Sequence, residues 1–170
     1  LILSLISFSF NQGKLKFSAD IAKSYKDGDI LAKEFKNNVK IIDRDIILYT
    51  NSAIHYPDLN KVVLIGDVRM YQNNDSLKCN ELKLFKGINE RYEASGDVVL
   101  FKQNKEIKAE NLTYYINNNI EGNENVSIKD SLRLILGDSL YINYKDSLMD
   151  NINIRSNAKL YNSRHVILKK

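Results

Sequence analysis

Few side chains in this sequence could carry reaction chemistry: two histidines, one cysteine and two close-set acidic pairs. His55 and His165 stand far apart, and neither has a ligand-like pattern of neighbours, so a zinc site is not expected. Cys79 is alone and cannot form an internal disulfide. A lone thiol could act as a nucleophile or bridge two chains, but a strand column shared with Ala, Gly and Thr suits a small buried residue better. Asp43-Arg44-Asp45 and Asp27-Gly28-Asp29 could pair carboxylates for acid/base work, yet both have the composition of turns. The chain has no Gly-x-Ser-x-Gly elbow, no phosphate-cradling glycine loop and no Cys/His pair at a convincing spacing. The sequons Asn111-Leu112-Thr113 and Asn125-Val126-Ser127 lie in strand-like stretches and follow from the abundance of Asn. These residues point away from an enzyme, and no cofactor or metal is expected.

The rest of the chain must then explain what it does. Its 170 residues suffice for one domain of ordinary size. A net charge of +4 lacks the clustered excess of a nucleic-acid binder, so nucleic acid is not an expected partner. Hydrophobic residues make up 44% and charged residues 27%, which excludes a wholly disordered chain and a bundle of membrane helices. With 21 Asn, 10 Tyr, one Pro and no Trp, the composition favours short strands joined by Asn-rich turns. The apolar opening LILSLISFSF places a secretory h-region over residues 1–12, with its basic start lying further upstream. An uncleaved membrane anchor is the alternative, and a buried strand a remoter one. No Cys follows, so a lipoprotein is not indicated. Residues 13–170 are expected to form a single exported domain.

A register recurs four times along that domain. It is anchored on Val39, Val68, Val98 and Val126, spaced by 68−39 = 29, 98−68 = 30 and 126−98 = 28 residues. Two positions on stand Ile41, Met70, Leu100 and Ile128; nine on, Leu48, Leu77, Ile107 and Ile135. Thr50, Cys79, Ala109 and Gly137 follow at eleven; Ala53, Leu82, Leu112 and Leu140 at fourteen; His55, Leu84, Tyr114 and Ile142 at sixteen. A degenerate fifth copy is expected near Ile154, and Ala19-Asp20-Ile21-Ala22 resembles Ala109-Glu110-Asn111-Leu112 as an opening partial unit. Within a unit the apolar period is two, the mark of strands buried on one face. Gly66 and Gly96 interrupt strands and predict kinks. Between offsets eleven and fourteen the parity changes, which predicts a bulge or a passage between sheets at Asn80-Glu81, Glu110-Asn111 and Asp138-Ser139. Ala19 to Tyr25 could make one turn of helix. The pattern is a meander of roughly ten kinked antiparallel strands, wrapped into a sandwich, jelly roll or partly closed barrel.

The phrase Gly96-Asp97-Val98-Val99-Leu100, a polar turn, then Ala109-Glu110-Asn111-Leu112-Thr113-Tyr114 resembles the OstA-like family. Its members are the lipopolysaccharide-transport proteins LptA and LptC and the periplasmic domain of LptD, and the chain is most like LptA. The resemblance covers about residues 15 to 162. It implies an all-β fold, a twisted antiparallel β-jelly roll of about five kinked hairpin units, open at both edges. It also implies that Val68, Met70, Leu77, Leu82, Leu84, Val98, Leu100, Ile107, Leu112, Val126, Ile128 and Leu140 line an apolar groove for the acyl chains of lipid A. Partners implied are lipopolysaccharide, other Lpt-type β-jelly-roll proteins joined by edge-strand pairing, and further copies of the chain, head to tail. The pairing edges would lie near Lys14 to Ala19 and Ile152 to Tyr161. The location implied is the periplasm, free or held by an inner-membrane anchor. Lysines 14, 16, 23, 26, 169 and 170 could favour lipid phosphates. The competing reading is a parallel β-solenoid, a carbohydrate-binding or structural surface protein.

Overall fold

In a computed structural model the described residues are 15–115, 119–145 and 148–162; the expected signal or anchor over 1–12 lies outside them. Twelve strands run β1 (Lys16–Ser18), β2 (Ile21–Asp27), β3 (Ile30–Asp43), β4 (Ile46–Tyr56), β5 (Lys61–Gln72), β6 (Asp75–Phe85), β7 (Arg91–Lys102), β8 (Lys105–Tyr115), β9 (Ile120–Lys129), β10 (Arg133–Lys145), β11 (Leu148–Arg155) and β12 (Lys159–Asn162). They form one antiparallel sheet in near-sequential order, β1 and β2 sharing one edge of β3, β11 and β12 one edge of β10. From β2 to β11 each strand pairs with its chain neighbour across turns short enough to demand antiparallel partners, while β1 and β12 skip one strand to pair with β3 and β10. The solenoid alternative needed parallel pairing one repeat apart and is overturned. The segment Ala19 to Tyr25 is not a helical turn: Ile21–Asp27 is an edge strand, exposed throughout.

Each pairing from β3 through β10 breaks register at the same latitude. There, two consecutive residues of one strand adopt left-handed backbone and face a single residue of the next. The pairs are Asn37-Asn38 (φ 61° and 51°), Gly66-Asp67 (82°, 46°), Gly96-Asp97 (75°, 51°), Glu124-Asn125 (63°, 54°) and Ser156-Asn157 (58°, 51°). The glycines are the kinks that the sequence predicts, and the extra residue falls on their strands. On β6, β8 and β10 the corner is the single residue Asn80, Glu110 or Asp138. A Cβ on Gly96 would stand 2.9 Å from Cβ of Asn80, so this corner needs glycine for space as well as for its positive φ. In the fifth unit the corner comes late. Its anchor is Ala158, which is 158−126 = 32 residues after Val126 and four beyond the expected Ile154.

The corners divide the sheet into an upper half, whose strand segments end at the loops near 57–60 and 86–90, and a lower half ending at the turns near 44–45, 73–74 and 103–104. Both halves bury the same face. Val62 and Leu64 before the corner and Val68 and Met70 after it belong to one core cluster. A single sheet can bury one face along its whole length only by folding back on itself, and contacts across the fold confirm this. Phe17 of the lower half stacks on Phe35 (4.5 Å between ring centroids) and His55 (5.1 Å) of the upper half. The fold is the twisted antiparallel jelly roll, with strands β1 and β2 at one open edge and β11 and β12 at the other.

Candidate functional site

Opposite the line of corners the free ends of the two halves meet along a seam, and the interior behind it holds the residues expected to line a groove. All twelve, from Val68 to Leu140, lie on the inner face in one apolar cluster and none is more than 5% exposed. They come from six of the strands yet face one interior, because the corners keep their parity on one side. Ile135, Tyr114 and His55, from the same sequence columns, are only half-buried. The interior is closely packed. Where Met70, Leu77, Leu100, Lys102 and Tyr114 approach one another behind the seam, the gap measures about 10 Å³, room for about one water.

Two polar clusters tie the seam. In the first, Asp43 ends β3 with its carboxylate fully buried. Its Oδ2 accepts hydrogen bonds from Lys86 Nζ (2.7 Å) and Tyr92 Oη (3.1 Å), both of the upper half. Lys86 also donates to Glu90 Oε1 (2.6 Å), which is paired in turn with Arg44. Burial, then the charges of Asp43 and Glu90, push the Tyr92 hydroxyl far above the usual range, so it stays a donor. In the second cluster Lys102 of the lower half donates to Asp75 Oδ2 (2.6 Å). Its ammonium lies 5.5 Å from the ring centroid of Tyr114 and 5.3 Å from that of Tyr144, both upper-half residues. Burial raises the Tyr144 hydroxyl as well. Among the described residues Tyr144 Oη is buried without a hydrogen-bond partner, and Asp43 Oδ1 has only the Arg44 guanidinium, 3.4 Å away. An orphaned buried polar atom is uncommon and destabilising, so Tyr144 Oη is the weak point of the second cluster.

The sequence reading missed these clusters. Asp43-Arg44-Asp45 is a turn, as read, but Asp43 shares the inward parity of Val39 and Ile41, and that was the available signal. Asp27-Gly28-Asp29 is the β2–β3 turn. Cys79 is buried, and burial pushes its thiol up to about 12, which leaves it protonated and unreactive at neutral pH. His55 is held below its ordinary pKa by burial and by Lys33 nearby, and its ring serves as a stacking surface for Phe17. Among the described residues no three His, Cys, Asp or Glu side chains come together as a metal site would require.

Comparison with known proteins is consistent with this architecture. The family described as OstA-like protein matches residues 15–122. Among solved structures, the chain is similar to LptH of Pseudomonas aeruginosa, the LptA homologous periplasmic component of the lipopolysaccharide transport device. The TM-score is 0.61 at 14% identity, over 68% of this chain and 93% of that one. Among curated proteins a sequence comparison returns no match.

Proposed function

The chain belongs to the OstA-like family, and on that premise we propose that it is a periplasmic carrier of lipopolysaccharide, not an enzyme, holding the lipid A acyl chains between the two halves of its sheet. The observation that carries this reading is a continuous apolar interior reaching a seam closed by polar side chains. A closed barrel would have no such seam. An acyl chain needs far more room than the present gap, so the halves separate to admit it. Separation exposes side chains that the acyl chain then covers again, and each buried CH₂ returns about 0.8 kcal/mol. The apolar exchange is therefore close to neutral, and the seam clusters set the barrier.

Val68, Met70, Leu77, Leu100 and Ile107 would meet the acyl chain from the lower half, Leu82, Leu84, Leu112 and Leu140 from the upper, with Val98, Val126 and Ile128 beside them. Lys86 and Lys102 at the seam would face the lipid phosphates. The edges at β1/β2 and β11/β12 would pair with other Lpt-type proteins or further copies of the chain, making a bridge between the two membranes. The test is binding of the full chain to intact lipopolysaccharide and to the same glycan stripped of its acyl chains, followed by native mass spectrometry. The reading expects a complex with the intact lipid only. Equal binding of the stripped glycan would overturn it.

A further inference from the structure

The two outer faces of the folded sheet differ in charge. On the upper half one cross-strand row carries Lys23, Glu34, Lys83, Glu93 and Glu121, three acids to two lysines, and the next carries Lys36, Glu81 and Arg155, with Lys36 tied to Glu34 and Lys83 to Glu81. On the lower half the corresponding row runs through Lys40, Tyr49, Arg69, Lys78, Lys108 and Lys159, with Val99, Ser127 and Leu136 between them and no acid. The next row adds Lys16 and Lys129, with one acid, Glu106, tied to Lys108 at 3.0 Å. Arg69 is tied to Asp67 at 2.6 Å. Lys16, Lys78, Lys129 and Lys159 have no acidic partner within ion-pair distance among the described residues. Arg69 and Lys78 stand directly opposite on neighbouring strands, an arrangement of like charges that costs stability and is unneeded for the fold.

The same face exposes Tyr49 (41%), Tyr71 (41%) and Phe101 (44%) among these cations, and none of them is needed by the core on the other side of the sheet. The row crosses nine strands, about 38 Å at the usual strand spacing. Neighbouring charges along it stand about 5–14 Å apart at the usual strand spacing, against a Debye length of about 8 Å, so most of them act together on an extended anionic surface. Lysines are flexible point charges, suited to mobile phosphates more than to fixed bidentate acceptors. Tyrosine and phenylalanine at the level of the charges suit a headgroup interface, where an apolar ring and water meet.

We propose that the outer face of the lower half docks on a membrane surface rich in anionic lipid, bringing the carrier alongside a bilayer whether or not its interior is loaded. The test is sedimentation of the full chain with vesicles of phosphatidylcholine alone and of phosphatidylcholine mixed with phosphatidylglycerol. The neutral vesicles account for any binding by the apolar residues 1–12. Binding is expected to favour the anionic vesicles and to be released by salt. The triple variant K78Q/K108Q/K129Q should weaken it about 100-fold, at about fivefold per lysine. The variant K36Q/K61Q/K83Q removes the same charge from the other face and should bind like the parent; thermal melts establish that both variants fold. Equal losses in the two variants would reduce the effect to net charge and overturn the proposal. So would equal binding to both vesicles, or none to the anionic ones, which would leave the face to an acidic protein.

Discussion

Replacing Asp43 by alanine tests whether the seam is held by a coupled polar cluster. Its carboxylate is fully buried and accepts from Lys86 at 2.7 Å and Tyr92 at 3.1 Å. Losing one partner of a buried ion pair costs about 3–5 kcal/mol where the other is stranded. Lys86 is not stranded, because Glu90 remains at 2.6 Å and its side chain is 18% exposed. Tyr92 does lose its acceptor while staying buried, which costs about 1–3 kcal/mol. We expect D43A to lose about 3 kcal/mol, or about 6–12 °C in Tm for a chain of this size. The assay is urea and thermal unfolding followed by circular dichroism. Y92F alone should cost about 1 kcal/mol, and the double variant should cost less than the sum, since the shared bond is lost only once. A D43A loss below about 1 kcal/mol, or strict additivity with Y92F, would refute the cluster as described. Because the same contacts keep the seam shut, D43A should also take up lipopolysaccharide faster than the parent. Slower uptake by a folded variant would refute entry at the seam.

The corner geometry predicts that G96A loses about 2–3 kcal/mol by urea unfolding, from its positive φ and its contact with Asn80, and that adding N80A recovers part of the loss. Full loss in the double variant would place the whole effect in the backbone. His55 titrates lower in the folded chain than its ordinary value near 6.5. The unfolded chain then binds the proton more readily, so stability is complete above that value and falls as pH drops through the folded pKa. Unfolding measured against pH should show this slope, and H55F should flatten it; an unchanged slope would assign it to other groups. Edge pairing predicts an average mass by light scattering that rises with protein concentration and returns to monomer when proline replaces Ser24 in the exposed strand β2. A monomer at every concentration would contradict the bridge.

Much of the fold was legible because the burial of one face imposes a period of two, which the corners preserve. Val39, Leu48 and Ala53 head columns that read directly as core, and these three residues are at most 1% exposed. Gly66 and Gly96 announced corners, whereas Asn37-Asn38, Glu124-Asn125 and Ser156-Asn157 turn the same way without glycine and left no comparable mark. Asn tolerates left-handed backbone, so the Asn-rich composition encodes corners as well as turns. The fifth unit was misplaced by four residues because strands β11 and β12 pair on one side only and bear no strict column. The seam was not legible: the partners of Asp43 lie more than forty residues away, and only the folding of the sheet on itself brings them together. The charged outer face was hidden for a similar reason, since its lysines come from different strands and align only once the register is known.

The claim that acyl chains enter the folded sheet is tested most directly by a photo-crosslinking residue placed in turn at Leu100, Leu112 and Val99. Leu100 and Leu112 face the interior from opposite halves, while Val99 faces outward on the same strand as Leu100. With lipopolysaccharide present, the account predicts adducts at Leu100 and Leu112 and none at Val99. Adducts at Val99 alone, or none at the inner positions in a folded protein beside a carrier that does crosslink, would contradict it.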